Sequence, residues 1–341
     1  MCSSQVSFSF NVAAIYVKVE KFMKILVASN QAYLFPLQVM LCSLLECHKH
    51  VNEIDIYILH KNLSWSEICG LENEYDNCRL HPIQVESNVV NKLSSTDRFP
   101  VESCFRMIAH LVLPQDIERI LWLDSDIVVN GSLTDFYSQD LSGAFAAACK
   151  DCLGKDPLKR FPRIELDSNK YFNAGVLLLN LHMLRQAITL DTISNYFSKY
   201  KESIKGLKAY PDQDALNALF ENKVRLCHNK YNVFFGALHQ RDFSREMYKN
   251  IVIIHFIYAP KPWKPLARRC YANRLWKKYA KISSRFGQKE KYYIYLVKRI
   301  VLSPLYAIVQ LLTSFLVVLP KTVYEKANIL FSQTKNDMAS L

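Results

Sequence analysis

Short apolar runs alternate with stretches of helically spaced apolar residues along the first third of the chain. The runs are rich in Ile, Leu and Val and have the length of buried strands. They lie at 24–29, 54–59, 80–85 and 119–123. The helical stretches lie at 35–47, from Ser64 onward and at 103–113, where Pro114 ends the last one. Strands that alternate with helices predict an α/β fold, with a largely parallel sheet covered by helices on both faces.

The alternation of elements continues through the second half of the chain. Further strands are predicted at 145–149, 174–179 and 252–256, and further helices at 182–200 and 212–220. We therefore predict three parts. They are an N-terminal extension at 1–22, which a misassigned start codon upstream of Met23 would explain, a compact domain at 23–279, and a basic, apolar helical extension at 280–341.

Composition favours a folded protein with an anionic partner. Half of the 341 residues are hydrophobic, which is enough for a core, and the formal net charge is +12. A nucleotide phosphate or an anionic lipid fits this charge. Nucleic acid is not predicted as a partner, because no nucleic-acid-binding motif accompanies the basic residues. The ten cysteines form no secreted framework and are expected to be free thiols in a reducing compartment.

The C-terminal extension carries a candidate membrane-binding segment. Residues 300–319 contain no charged side chain, and their number is about what is needed to cross a bilayer core. Polar residues inside the segment weaken a spanning assignment, and the basic, tyrosine-rich stretch at 291–299 suits a lipid headgroup region. In-plane attachment to a membrane surface is therefore favoured, with a single span or a helix packed on the domain as alternatives.

Two carboxylates directly follow the apolar run at 119–123. Asp124 and Asp126 would lie at the carboxyl end of a buried strand, the edge at which α/β sheets bind ligands. Such a pair suits Mg²⁺ or Mn²⁺, and a metal there would stabilise a departing diphosphate. Solvated turn acids are one alternative. A phosphatase of the haloacid dehalogenase type is another, although those enzymes usually carry this motif on their first strand.

Two further segments place polar side chains at the ends of predicted elements. Gly175 precedes an apolar run and would let a ligand approach the backbone, while Asn173 could bond a sugar hydroxyl. Asp212, Gln213 and Asp214 open the helix predicted at 212–220 and could hold a pyranose ring. The alternatives are a turn that enters a core strand for the first segment and helix capping for the second.

The last segment joins a histidine to a lysine. His255 ends the apolar run at 252–256, and Lys261 follows in a loop stiffened by two prolines. Together they could supply a metal ligand and a cation for a phosphate. The alternative is that His255 is a buried histidine with only a structural role in the core.

Taken together and in this order, the four segments resemble glycosyltransferase family 8, and most closely its bacterial lipopolysaccharide glucosyl- and galactosyltransferases. The resemblance runs from about residue 23 to 276. It implies a GT-A fold, which is a Rossmann-like, mostly parallel mixed sheet flanked by helices. It also implies a retaining transfer of glucose or galactose from a UDP-hexose donor, dependent on Mn²⁺ or Mg²⁺. The acceptor would be a glycan or glycolipid such as lipopolysaccharide, at the cytoplasmic face of the cell membrane.

The resemblance also implies a set of site residues. The metal ligands would be Asp124, Asp126 and His255. The donor would be bound by Ala28, Asn30, Tyr33, Arg106, Asp124, Ser125, Asn173, Ala174, Asp212, Gln213 and Lys261. The catalytic group would be Asp212, Gln213 and Asp214, with Gln213 or a neighbouring carboxylate beneath the anomeric carbon.

Two positions depart from the family pattern. Asn30 stands where the family usually has an aspartate that contacts the nucleotide, and Tyr258 stands where it commonly has a glycine near the phosphates. A protein that binds a UDP-sugar at a membrane without catalysis is therefore the alternative to an active transferase.

Overall fold

The computed structural model describes most of the chain between residues 22 and 298. The described ranges are 22–64, 74–93, 100–151, 170–204, 211–235, 245–257, 260–264, 270–285 and 289–298. Several predictions lie outside them, namely those for 1–21, for the helix that follows Ser64, for Tyr258 and for the segment at 300–319.

The described strands form two sheets. In chain order the strands are β1 Phe22–Ala28, β2 Glu53–His60, β3 Cys78–Gln84, β4 Arg119–Leu123, β5 Ile127–Val129, β6 Ala146–Lys150, β7 Phe172–Asn180, β8 Val224–Cys227, β9 Val233–Phe234 and β10 Ile253–His255. The larger sheet has the order β3-β2-β1-β4-β7-β6-β8, and β7 alone runs against its neighbours. The smaller sheet has the order β5-β10-β9. The predicted mixed, mostly parallel α/β fold is therefore confirmed.

Helices cover the larger sheet and link its strands. They are α1 Leu34–Cys47, α2 Ser87–Val90, α3 Ala109–Val112, α4 Thr134–Tyr137, α5 Leu181–Ala187, α6 Leu190–Ile204, α7 Pro211–Phe220, α8 Arg245–Lys249 and α9 Tyr271–Ser283. Short 3-10 segments lie at Val101–Met107 and Asn229–Tyr231, and residues 289–298 are also helical.

Two predicted helices differ in the structure. The stretch at 103–113 forms the 3-10 segment followed by α3, with a break at Ile108. The stretch at 182–200 is divided into α5 and α6, because Ile188 is extended and the Thr189 hydroxyl accepts from the Thr192 amide at 3.1 Å. A threonine in this position caps the start of a new helix.

Neighbouring residues of the central strands contribute to cores on opposite faces of the sheet. In β1, Ile25 and Val27 pack with α1, whereas Leu26 packs with the layer that contains α7. In β4, Leu121 packs in the core on the α1 face, and Trp122 packs in the core on the α7 face. Burial on both faces explains why these strands appear in the sequence as continuous apolar runs.

A third core cluster attaches the C-terminal helices to the domain. The fully buried Trp276 of α9 lies 5.6 Å from the ring of Phe35 in α1 and 5.3 Å from that of Tyr295 in the helix at 289–298. The boundary predicted at residue 279 falls inside α9. No helix in the described ranges is both long and apolar enough to cross a membrane.

His48 gives the fold an expected dependence on pH. Its buried ring donates from Nδ1 to the Leu44 carbonyl at 2.7 Å and accepts at Nε2 from the Leu133 amide at 2.8 Å. Burial lowers the pKa of His48 from 6.5 to about 4. Because the unfolded chain takes up this proton at the higher pH, the free energy of unfolding should fall as the pH drops from 6.5 to 4.

Chemical denaturation at several pH values across that interval measures the effect. The substitution His48→Gln should reduce the pH slope, whereas His50→Gln, at an exposed neighbouring position, should leave it in place. An unchanged slope in His48→Gln would show that another group carries the dependence.

Candidate active site

The ends of several strands meet at one edge of the larger sheet. Parallel β1 and β4 both end there, with Leu26 paired to Trp122. Because β7 is antiparallel to β4, its beginning lies at the same edge, and the Asp124 amide donates to the Gly175 carbonyl at 2.9 Å. In the smaller sheet, β10 pairs with β5 so that His255 lies opposite Ile127. Sheet pairing thus brings His255 next to the two predicted carboxylates.

The three predicted metal ligands converge. One ligand atom from each of Asp124, Asp126 and His255 lies within 4.8 Å of the others. His255 Nε2 is 3.1 Å from Asp126 Oδ1 and 3.8 Å from Asp124 Oδ2. Two carboxylate oxygens and an imidazole nitrogen at these separations fit a divalent cation such as Mn²⁺ or Mg²⁺.

A buried guanidinium connects the first carboxylate to the start of α7. Arg106 Nη2 lies 3.1 Å from Asp124 Oδ1 and 3.2 Å from Asp212 Oδ2, while Nη1 donates to the Ala174 carbonyl. Burial lowers the pKa of Arg106, but Asp124 and Asp212 outweigh this effect, so the residue stays charged. Burial also raises the pKa of Asp212, against the opposing charge of Arg106.

A lysine occupies the other side of the carboxylate pair. Lys261 Nζ is 2.6 Å from Asp126 Oδ2 and also donates to the Phe256 carbonyl. Burial raises the pKa of Asp126, but Lys261 and His255 outweigh this effect and hold the pKa well below its usual range. Asp126 is therefore ionised and available as a ligand at neutral pH.

The start of α7 is fixed to the beginning of β7. Asn217 in α7 accepts from the Phe172 amide and donates to its carbonyl, both at 2.9 Å. Asp212 and Gln213 consequently line a cavity at this edge of the sheet. Gln213 Oε1 accepts from the Ala174 amide at 3.1 Å. Asp214 does not line the cavity, because its buried carboxylate accepts from the Tyr171 hydroxyl at 2.5 Å.

The opposite wall of the cavity lies beside the end of β1. Asn30 Oδ1 accepts from the backbone amides of Ala32 and Tyr33 at 3.1 and 3.2 Å, so this side chain forms the turn into α1. Its amide nitrogen lies 3.4 Å from Glu102 Oε2. The Ser125 hydroxyl donates to the Ala28 carbonyl at 3.2 Å and ties this wall to the carboxylates.

These residues enclose one cavity of about 340 Å³. All the predicted site residues line it except Asp214 and Ala174. Those that do are Ala28, Asn30, Tyr33, Arg106, Asp124, Ser125, Asp126, Asn173, Asp212, Gln213, His255 and Lys261. The structure therefore brings most of the predicted residues to one cavity, and their roles in binding and catalysis stay predictions.

The structure adds residues that the sequence analysis missed. Asp151, directly after β6, accepts from Gln213 Nε2 at 2.8 Å. Its position after a strand was a usable signal, since polar residues at strand ends form ligand sites in α/β sheets. Buried Asn232 contacts His255 and Asn173, and its surrounding sequence gave no comparable signal.

Comparison with known proteins gives consistent matches over this region. The model of glycosyl transferase family 8 matches residues 24–267. The lipopolysaccharide 1,2-glucosyltransferase of Escherichia coli K12 is 27% identical over 243 residues, which cover 68% of this chain and 70% of that enzyme. Glycosyltransferase GlyF of Streptococcus pneumoniae serotype 4 is 25% identical over 244 residues, 70% of this chain and 56% of that protein.

A solved structure shares the fold. The galactosyltransferase LgtC, crystallised with donor and acceptor sugar analogs, superimposes with a TM-score of 0.62 at 22% identity. The match covers 76% of this chain and 96% of LgtC, which has a GT-A fold.

Proposed function

Because the chain belongs to glycosyl transferase family 8 and is a glycosyltransferase of GT-A fold, we propose that it transfers a hexose from a UDP-sugar to a saccharide acceptor, with Mn²⁺ or Mg²⁺ in its site. The hexose is glucose or galactose, and its anomeric configuration is retained. One observation carries the proposal: Asp124, Asp126 and His255 meet in the wall of a cavity that also presents Lys261 and Arg106. Family membership sets the phosphatase alternative aside.

The charges of the site suit a nucleotide diphosphate. Asp124, Asp126 and His255 would hold the metal ion, which when bound neutralises the diphosphate and stabilises it as a leaving group. Lys261, now paired with Asp126, is close enough to the ligand set to serve the same phosphates as a cation. Without such cations, two carboxylates in one cavity wall would repel an anionic donor.

The start of α7 is the part of the cavity suited to the transferred sugar. Asp212 and Gln213 are buried side chains that line the cavity on the side of Arg106. The Asp212 carboxylate can accept from a ring hydroxyl, and Gln213 or Asp212 would lie beneath the anomeric carbon. Asp151 supports Gln213 through the bond to Nε2 and joins this group in the proposal.

The acceptor is proposed to be a glycan or glycolipid of the cell surface, such as lipopolysaccharide. The similarity to an Escherichia coli enzyme named for that glycan supports this assignment. With such an acceptor, the protein would act at the cytoplasmic face of the cell membrane. Three apolar side chains of the helix at 289–298 are exposed and support contact with a membrane surface: Tyr293, Ile294 and Val297.

Thermal unfolding with candidate donors tests the donor and metal assignments. UDP-glucose or UDP-galactose with Mn²⁺ should raise the melting temperature, because a ligand at 100 times its Kd stabilises the native state by about 2.7 kcal/mol. The same sugar nucleotide with EDTA should give a much smaller shift. Equal shifts with and without the metal, or with GDP-sugars, would contradict the proposal. Binding without turnover on any acceptor would instead point to a sugar-nucleotide-binding protein.

Vesicle co-sedimentation tests the membrane assignment. The full chain should sediment with anionic vesicles at low salt and be released as the salt concentration rises, because the attraction of basic residues is screened. Neutral vesicles serve as the control. A chain that stays in the supernatant with anionic vesicles at low salt would refute membrane attachment.

A further inference from the structure

Asn232 is a buried carboxamide with both ends bound to residues of the site. It follows the 3-10 segment Asn229–Tyr231, is 3% exposed and does not line the cavity. Its Oδ1 lies 2.9 Å from His255 Nδ1, and its Nδ2 donates to Asn173 Oδ1 at 2.8 Å. The Asn232 side chain therefore links His255, a proposed metal ligand, to Asn173, a residue proposed to bind the donor.

Two backbone amides fix the direction of these hydrogen bonds. The Gly175 amide can only donate, and it donates to Asn173 at 3.0 Å, so the Asn173 atom at that position is the oxygen. Asn232 must then present its NH₂ group to this oxygen and its own oxygen to His255. The Ala174 amide likewise donates to Gln213 Oε1, which leaves that oxygen to accept from Asn173 Nδ2 at 3.0 Å.

The direction of the network determines which nitrogen of His255 is available. Because an amide oxygen can only accept, His255 Nδ1 carries hydrogen and donates to Asn232. The other nitrogen, Nε2, is left to face the carboxylates, 3.1 Å from Asp126 Oδ1. A hydrogen bond from the second ring nitrogen orients a histidine ligand and sets its tautomer.

The network continues from Asn173 to the start of α7. Asn173 Nδ2 donates to Gln213, and Gln213 Nε2 donates to Asp151. A continuous series of hydrogen bonds thus runs from His255 through Asn232 and Asn173 to Gln213. A displacement of Asn232 would disturb both ends of the series.

We propose that Asn232 is a positioning residue that orients His255 toward the metal ion and, through Asn173, holds Gln213 at the sugar side of the cavity. The proposal rests on the metal-dependent transfer described above. It gives Asn232 two separable effects, one on metal affinity through its oxygen and one on donor binding through its NH₂ group.

Binding of Mn²⁺ alone to the full chain, followed by the electron paramagnetic resonance of the free ion, measures the first effect. Asn232→Ala should weaken Mn²⁺ binding by about 10- to 100-fold, as expected when the partner of a histidine ligand is lost. Asn232→Asp keeps an acceptor for His255 and should lose less than about tenfold. The same Asp variant has no donor for Asn173, so its KM for the UDP-sugar should rise more than its Mn²⁺ affinity falls.

Asn180→Ala is the matched control. Asn180 lies at the far end of β7, and its side chain also makes partly buried hydrogen bonds. It donates to the Leu141 and Ala144 carbonyls at 3.2 Å. This variant should lower the melting temperature without changing Mn²⁺ affinity.

Three results would overturn the inference while wild-type Mn²⁺ binding is normal. The first is that a folded Asn232→Ala variant binds Mn²⁺ as tightly as the unsubstituted chain. The second is that Asn180→Ala loses as much Mn²⁺ affinity as Asn232→Ala does. The third is that Asn232→Asp changes neither the Mn²⁺ affinity nor the KM for the UDP-sugar. The last comparison decides the matter if the alanine variant does not fold. A wild-type chain that binds no Mn²⁺ would overturn the proposed metal site itself.

Discussion

Replacing Asp124 with Asn is expected to lower kcat/KM by on the order of 10³-fold, since losing several kcal/mol of charge stabilisation has that effect. The local hydrogen bonds explain why the conservative change is so costly. Asp124 Oδ1 accepts from Trp122 Nε1 at 2.9 Å and lies 3.1 Å from Arg106 Nη2. The amide oxygen of Asn would take this position, because both neighbours are donors. Its NH₂ group, which cannot bind a metal ion, would then face His255.

Steady-state kinetics and Mn²⁺-dependent UDP binding measure the effect together. Asp55→Asn is the control, since Asp55 is a partly exposed carboxylate in β2 that contacts Lys24 and His81 away from the cavity. It should retain wild-type activity. Normal turnover by Asp124→Asn would mean that the metal site has been assigned to the wrong residues.

Much of the fold could be predicted from the sequence, because the buried central strands appear there as clear apolar runs. The run predicted at 119–123 coincides with β4, and the other predicted strands are displaced by only a few residues. The short strands β5, β8 and β9 were not predicted. The structure of the stretch at 103–113 was harder to predict from the sequence, since apolar spacing does not distinguish a 3-10 segment from an α-helix. There the backbone is held by contacts distant in sequence, including the bonds of Arg106 to Asp124 and Asp212.

The predicted family is confirmed. From the residues alone, candidate site positions were predictable where polar residues lie at the ends of predicted strands or open a predicted helix. Asp124 and His255 have this local signature, whereas Asn232 depends on how β9 and β10 pair. The sequence also led to an incomplete interpretation of Gly175, which was expected to admit a ligand to the backbone. In the structure, the space above its Cα is next to the side chains of His255 and Asp124.

That crowding makes Gly175→Ala the second substitution expected to have a large effect. A Cβ at this position would lie 2.3 Å from His255 Cε1 and 2.8 Å from Asp124 Oδ2, closer than real Cβ contacts allow. Neither neighbour is free to move, because Asn232 holds His255 while Trp122 and Arg106 hold Asp124. One added methyl group must therefore push apart the side chains of Asp124 and His255, two of the proposed metal ligands.

We expect Gly175→Ala to lower both Mn²⁺ affinity and kcat/KM by about 10²-fold, because ångström-scale misplacement of catalytic groups costs about that much. Overpacking should also reduce the free energy of unfolding by about 1–3 kcal/mol. Gly131→Ala is the matched control, since its Cβ would meet Val252 at 3.6 Å, an ordinary contact. If Gly175→Ala bound Mn²⁺ as tightly as Gly131→Ala does, the carboxylates and His255 would not act together as ligands. The loss of affinity in one glycine variant but not the other would tie the metal site to the close approach of β4, β7 and β10, which apolar patterning alone does not reveal.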